Sequence, residues 1–132
     1  MNSLIEMFSG KTTSRTYKTS TFSFVLRTLT TDELADVLRR TDIVALSDLT
    51  KMVMTRKLTL AYALESINGV DILALPEIQE LKKIKNDQSL TKVDLLSELL
   101  GKFDELTIRK LYSLYEELSA DHEKEIIELK KD

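Results

Sequence analysis

The stretch Phe22–Asp42, FSFVLRTLTTDELADVLRRTD, decides how the chain is read, because its periodicity changes partway along. In the first half Phe22, Phe24 and Leu26 alternate with Ser23, Val25 and Arg27, the period-2 pattern of a half-buried strand. From Leu29 the period lengthens. Thr30-Thr31-Asp32-Glu33 fits a capping box, in which the Thr30 hydroxyl accepts from the Glu33 N–H and the Glu33 carboxylate reaches back. Leu34, Val37 and Leu38 then supply the i, i+3, i+4 face of a short helix ending near Arg39-Arg40-Thr41-Asp42. Acids at its start and cations at its end suit the helix dipole.

Upstream, Thr16-Tyr17 is the expected antiparallel partner of that strand, with a turn near Thr19–Thr21. Residues 1–20 read as an arm. Its apolar cluster Leu4, Ile5, Met7 and Phe8 could line one side of a single helical turn, which is too short to be stable alone. Such a cluster is a frayed terminus, a staple on this domain's own core, or a segment that docks in a neighbour's groove.

Downstream, a long helix is expected between about Val44 and Ser66. Its stripe is Leu46, Leu49, Met52/Val53, Leu60, Ala63/Leu64 and Ile67, with a bend or break near Thr55. Asn68-Gly69 is a strong stop, supplying left-handed conformations for a helix C-cap or a tight turn, and Val70–Leu73 a short extended piece. Pro76 suits the first turn of a helix carrying Ile78, Leu81 and Ile84. Thr91 caps another, with Val93, Leu96, Leu99 and Leu100, stopped by Gly101. The final helical pattern opens at Phe103-Asp104-Glu105 and steps through Ile108, Leu111, Tyr115 and Leu118 before becoming highly charged. The expected fold is mainly α: a small bundle of four to five helices (21–132) with an N-terminal arm (1–20) and a short β-hairpin.

Composition narrows the chemistry. The chain has 132 residues, 42% hydrophobic and 31% charged, with one histidine and no cysteine, which excludes a disulfide scaffold, a thiolate zinc site and an iron–sulfur centre. The longest run without a charge, Thr19–Leu26, is far short of the ~20 residues that span a bilayer, and no secretory signal is expected. A soluble, intracellular domain follows as the expectation. His122 lies among Asp121, Glu123 and Glu125 in a stretch that reads as a solvated helix face rather than a metal site. The carboxylate pairs Asp104-Glu105 and Glu116-Glu117 have helix-surface roles, and no feature implies a pocket that would shift their pKa. Ser9-Gly10-Lys11-Thr12 shares letters with a phosphate loop but lacks its upstream glycine and preceding buried strand. No catalytic residue, cofactor or metal is expected.

Arg39 and Arg40 with Lys51, Arg56 and Lys57 form a candidate basic patch. The net charge of −3 and the absence of an aromatic platform favour a protein neighbour over nucleic acid. The candidate protein-interface residues are therefore Leu4, Ile5, Met7, Phe8, Arg15, Tyr17, Arg39, Arg40, Arg56 and Lys57.

Phe22–Asp42 followed by Lys57–Ile72 (KLTLAYALESINGVDI) resembles small tail-assembly and baseplate-hub proteins of tailed bacteriophages. The matching residues are Arg27, Leu29 and Thr30 at the strand end, Asp32 and Glu33 at the helix start, and the Ser66-Ile67-Asn68-Gly69 turn; Leu106–Leu118 is similar to the family's final helix. The likeness spans Tyr17–Leu118 and leaves out the apolar arm. It implies a non-enzymatic structural or assembly protein, placed in the virion or in the host cytoplasm during assembly. Its expected partners are other tail or baseplate proteins, with self-association an option, and it has no catalytic residues to carry over. The alternatives are a transient chaperone shielding a tail or tape-measure protein, and a helical adaptor that binds nucleic acid weakly.

Overall fold

A computed structural model describes residues 12–131, with side chains up to 126. The cluster Leu4, Ile5, Met7 and Phe8 lies outside the described residues. The order is β1 (Ser14–Lys18), β2 (Ser23–Arg27), α1 (Thr31–Thr41), α2 (Asp48–Ala63), β3 (Leu64–Ile67), β4 (Val70–Asp71), a 3-10 turn (Ile72–Ala74), α3 (Pro76–Lys85), α4 (Lys92–Leu100) and α5 (Glu105–Lys131).

The hairpin forms as its alternation requires. β1 and β2 pair antiparallel from Ser14↔Arg27 to Lys18↔Ser23, and Phe24 and Leu26 are buried. The Thr19 hydroxyl holds the turn by accepting from the Thr21 and Phe22 N–H groups. Helix starts also follow their signals. Both capping boxes are present, Thr30 with Glu33 and Thr91 with Asp94, and Pro76 opens α3.

The fold class requires correction. The chain is not a helical bundle with a short hairpin; it has a four-stranded antiparallel sheet, ordered β1-β2-β3-β4, beside five helices among the described residues. The helix expected to reach Ser66 stops at Ala63, and Leu64–Ile67 joins β2 instead. The cause lies in Asn68-Gly69. Both residues have positive φ (52° and 77°), which makes a two-residue hairpin turn rather than a helix cap, with Ile67↔Val70 closing it. Asn68 also ties this turn to β2: its N–H donates to the Ser23 carbonyl (2.7 Å) and its Oδ1 accepts from the Ser23 N–H (2.9 Å). A bulge at Glu65 shifts the β2–β3 register between Val25 and Leu26.

α2 runs without interruption through Thr55, whose hydroxyl bonds back to the Lys51 carbonyl (2.7 Å). The core gathers Leu26, Leu60, Ile72, Ile78, Leu95, Leu96, Leu100 and Leu118 from the sheet, the 3-10 turn and α2, α3, α4 and α5. The expected apolar stripes are only partly covered: Leu34 and Leu38 on α1 and Leu49, Met52 and Val53 on α2 are exposed.

Candidate functional site

A strongly charged cleft of about 380 Å³ lies beside the ends of β2 and α1, lined also by α2 and α4. Three clasps build it. Arg27, the last residue of β2, meets Glu33 in a bidentate pair, Nη1–Oε1 2.7 Å and Nη2–Oε2 2.6 Å. Its Nε lies 3.2 Å from Glu65 on β3, and Nη1 also donates to the Thr28 carbonyl. One guanidinium therefore fastens β2 to α1 and to the bulge. The Arg27 guanidinium, and then the Thr30 N–H, hold the Glu33 carboxyl below its usual range against the opposing effect of burial.

The second clasp is Asp36, which accepts from the Tyr62 hydroxyl, from Arg39 and from Arg40 Nε (2.8 Å). These donors, Tyr62 foremost, lower the Asp36 pKa. Burial, then the bond to Asp36, pushes the Tyr62 phenol up to about 12. In the third clasp Arg40 Nη1 reaches Asp94 on α4 (2.9 Å), whose pKa is lowered first by the Thr91 N–H and then by Arg40.

Lys92, at the first position of α4, is the cleft's one cation with no carboxylate within 4.0 Å among the described residues. Its Nζ donates to the Tyr62 carbonyl at 3.4 Å. Burial, then repulsion from Arg27, lowers its pKa.

Chemically, this arrangement favours fastening. Its paired carboxyls are held ionised and accept hydrogen bonds, and its phenol keeps its proton near neutrality, so neither is poised as an acid–base group at pH 7. Among the described residues no fully buried side-chain N or O lacks a partner. No set of three or more His, Cys, Asp or Glu among them is placed to hold a metal ion. No helix among them is long and apolar enough to cross a membrane.

The described candidate interface residues fall in three places. Arg39 and Arg40 meet at Asp36, on the edge of the cleft. Arg56 and Lys57 line a separate groove of about 230 Å³ with Val53, Leu100 and Phe103. Arg56 lies along Met52 and 3.9 Å from Glu105.

Arg15 and Tyr17 bind β1 to α5: Arg15 pairs with Asp121 at 3.0 Å, and the Tyr17 hydroxyl donates to the Leu114 carbonyl. His122 joins the same contact. It is half-buried rather than solvated, with Nδ1 2.8 Å from the Thr13 hydroxyl.

No family model, curated protein or solved structure matches the chain.

By sequence alone Arg27 and Glu33 read only as strand end and cap. Their joint position, six residues apart across a strand-to-helix turn, was the available signal for the clasp. Tyr62, Asp94 and Lys92 reach the cleft from distant segments, and Asp94 is signalled only as a cap partner of Thr91.

Proposed function

We propose that this chain is a non-enzymatic assembly protein that works by packing against other proteins, of the phage tail and baseplate type its sequence resembles. The observation that carries this reading is the apolar surface around the α1–α2 corner, where Leu38 is 56%, Leu49 66% and Val44 94% exposed. Leu34, Ile43, Met52 and Val53 add to it. A chain that buries leucines elsewhere while leaving these in water has surface suited to a protein neighbour. The cleft supports the same reading, since its carboxylates and guanidinium groups are spent on holding elements together. The site of action is then the virion, or the host cytoplasm during assembly.

The test is mass spectrometry of purified phage particles alongside affinity capture of the tagged chain from infected cells. A virion subunit appears in particles at fixed stoichiometry, and Leu38→Ser with Leu49→Ser removes it without unfolding the chain. Absence from particles with capture of tube or tape-measure protein converts the assignment to a transient chaperone. Absence from both overturns the packing role.

A further inference from the structure

Among the described residues β1 is an outer strand of the sheet, and the ladder fixes which of its backbone groups face away from β2. Thr28 N–H donates to the Thr13 carbonyl (2.9 Å) and Thr19 N–H to the Phe22 carbonyl (2.8 Å). In an antiparallel ladder bonded pairs alternate, so Thr13, Arg15, Tyr17 and Thr19 bond towards β2. Ser14, Thr16 and Lys18 therefore turn their N–H and C=O groups outward, and among the described residues none of these groups has a hydrogen-bond partner. No proline or bulge blunts the strand. It is held firmly from below, through Arg15 on Asp121 and Tyr17 on Leu114, so the edge is presented in fixed form.

We infer that β1 pairs antiparallel with β1 of a second copy of this chain, about a two-fold axis at Thr16. The second copy is chosen by the sequence of the strand. Thr13-Ser14-Arg15-Thr16-Tyr17-Lys18-Thr19 is complementary to itself about its centre: Ser14 falls opposite Lys18, Arg15 opposite Tyr17, Thr13 opposite Thr19 and Thr16 opposite itself. No like charges face each other, while threonine pairs and a guanidinium against a phenol ring are favourable cross-strand neighbours.

The register is also singular. All three outward residues are used, giving about six interchain bonds. A slip of two residues one way sets Arg15 against Arg15; the other way carries Ser14 opposite Ser20, beyond the end of β1. The product is one continuous sheet with four strands from each copy. This inference stands on the edge geometry and goes beyond the packing role above: Thr16 variants test one, corner variants the other.

Sedimentation equilibrium of the intact chain over a concentration series provides the test. The expected mass rises to twice the 15.1 kDa of one chain. Thr16→Pro removes an N–H that faces outward, so it should weaken association more than about tenfold with the far-ultraviolet circular dichroism unchanged. Should that variant misfold, Thr16→Lys and Thr16→Asp replace it. Each alone is expected to be monomeric, because Thr16 faces its own copy, and an equimolar mixture to form a heterodimer. A chain that stays monomeric throughout overturns the proposal. So does a dimer indifferent to these substitutions, which would place the contact elsewhere, such as the apolar corner.

Discussion

The two ends of α2 make a controlled comparison. Leu58–Ala63 lies against α4 and α5 and is buried, except for the half-buried Tyr62, whereas Leu49, Met52 and Val53 of the same helix are exposed. The residue types are alike and the backbone is one uninterrupted helix. What differs is the opposite surface: α4 and α5 close over one end, while α1 contributes to the other only a helix whose own Leu34 and Leu38 are exposed. Periodicity therefore specifies a helix and a face, but not the thing that covers the face.

The sharpest way to break this comparison is to truncate one leucine at each end. Leu60→Ala, at a side chain 1% exposed, should cost about 2–5 kcal/mol by urea denaturation. Leu49→Ala should stay within about 0.5 kcal/mol. Helix propensity cancels between the two, so similar losses would mean that the α1–α2 corner is covered in solution.

The next effect sets the charged cleft against the apolar core. Arg27→Met leaves Glu33 and Glu65 without their common partner and should cost about 1–3 kcal/mol at pH 7. The folded pKa of Glu33 lies below the ordinary 4.5. Its contribution is thus complete above pH 4.5 and is lost as the pH falls through the folded value. Denaturation midpoints of the two proteins should run parallel above about pH 4.5 and converge below it. A gap that persists unchanged in acid would assign the loss to packing of the Arg27 stem.

These contrasts also show what the sequence could convey. Caps, turns and the hairpin strand β2 were legible because each is decided within a few residues: Thr30 with Glu33, Thr91 with Asp94, Phe24 and Leu26 alternating with Val25. Of the second half of the sheet only β4 was legible, Val70-Asp71 falling within the expected extended piece, and β3 was not. Leu64–Ile67 continues the apolar helical stripe of α2, and Asn68-Gly69 serves equally as a helix stop and as a hairpin turn. Only the bonds between Asn68 and Ser23, 45 residues apart, decide for the strand. The cleft was hidden for the same reason, since Arg40 and Asp94 meet across 54 residues.

Gly69→Ala tests that turn with a smaller effect. Its φ of 77° penalises any Cβ even though open space surrounds it, so the cost should be about 1–2 kcal/mol, again by urea denaturation. No loss would show that β3 and β4 contribute little to the covered half.

Lys92 is the reverse case, a charge carried into the covered half, and there removal should help. The amine loses hydration on folding, and its single bond, to the Tyr62 carbonyl, is long at 3.4 Å. Lys92→Met keeps the stem and discards the charge, so it should stabilise the protein, by up to about 1 kcal/mol near neutral pH. Because the folded pKa lies below 10.5, the unfolded chain holds the extra proton. Wild-type stability must rise as the pH climbs from the folded value towards 10.5, and the advantage of the variant must shrink over the same interval. A gain that ignores pH would trace to better packing against Tyr62. A loss would show that the amine, although half-buried, is paired in solution, making the cleft a place where cover and charge are reconciled.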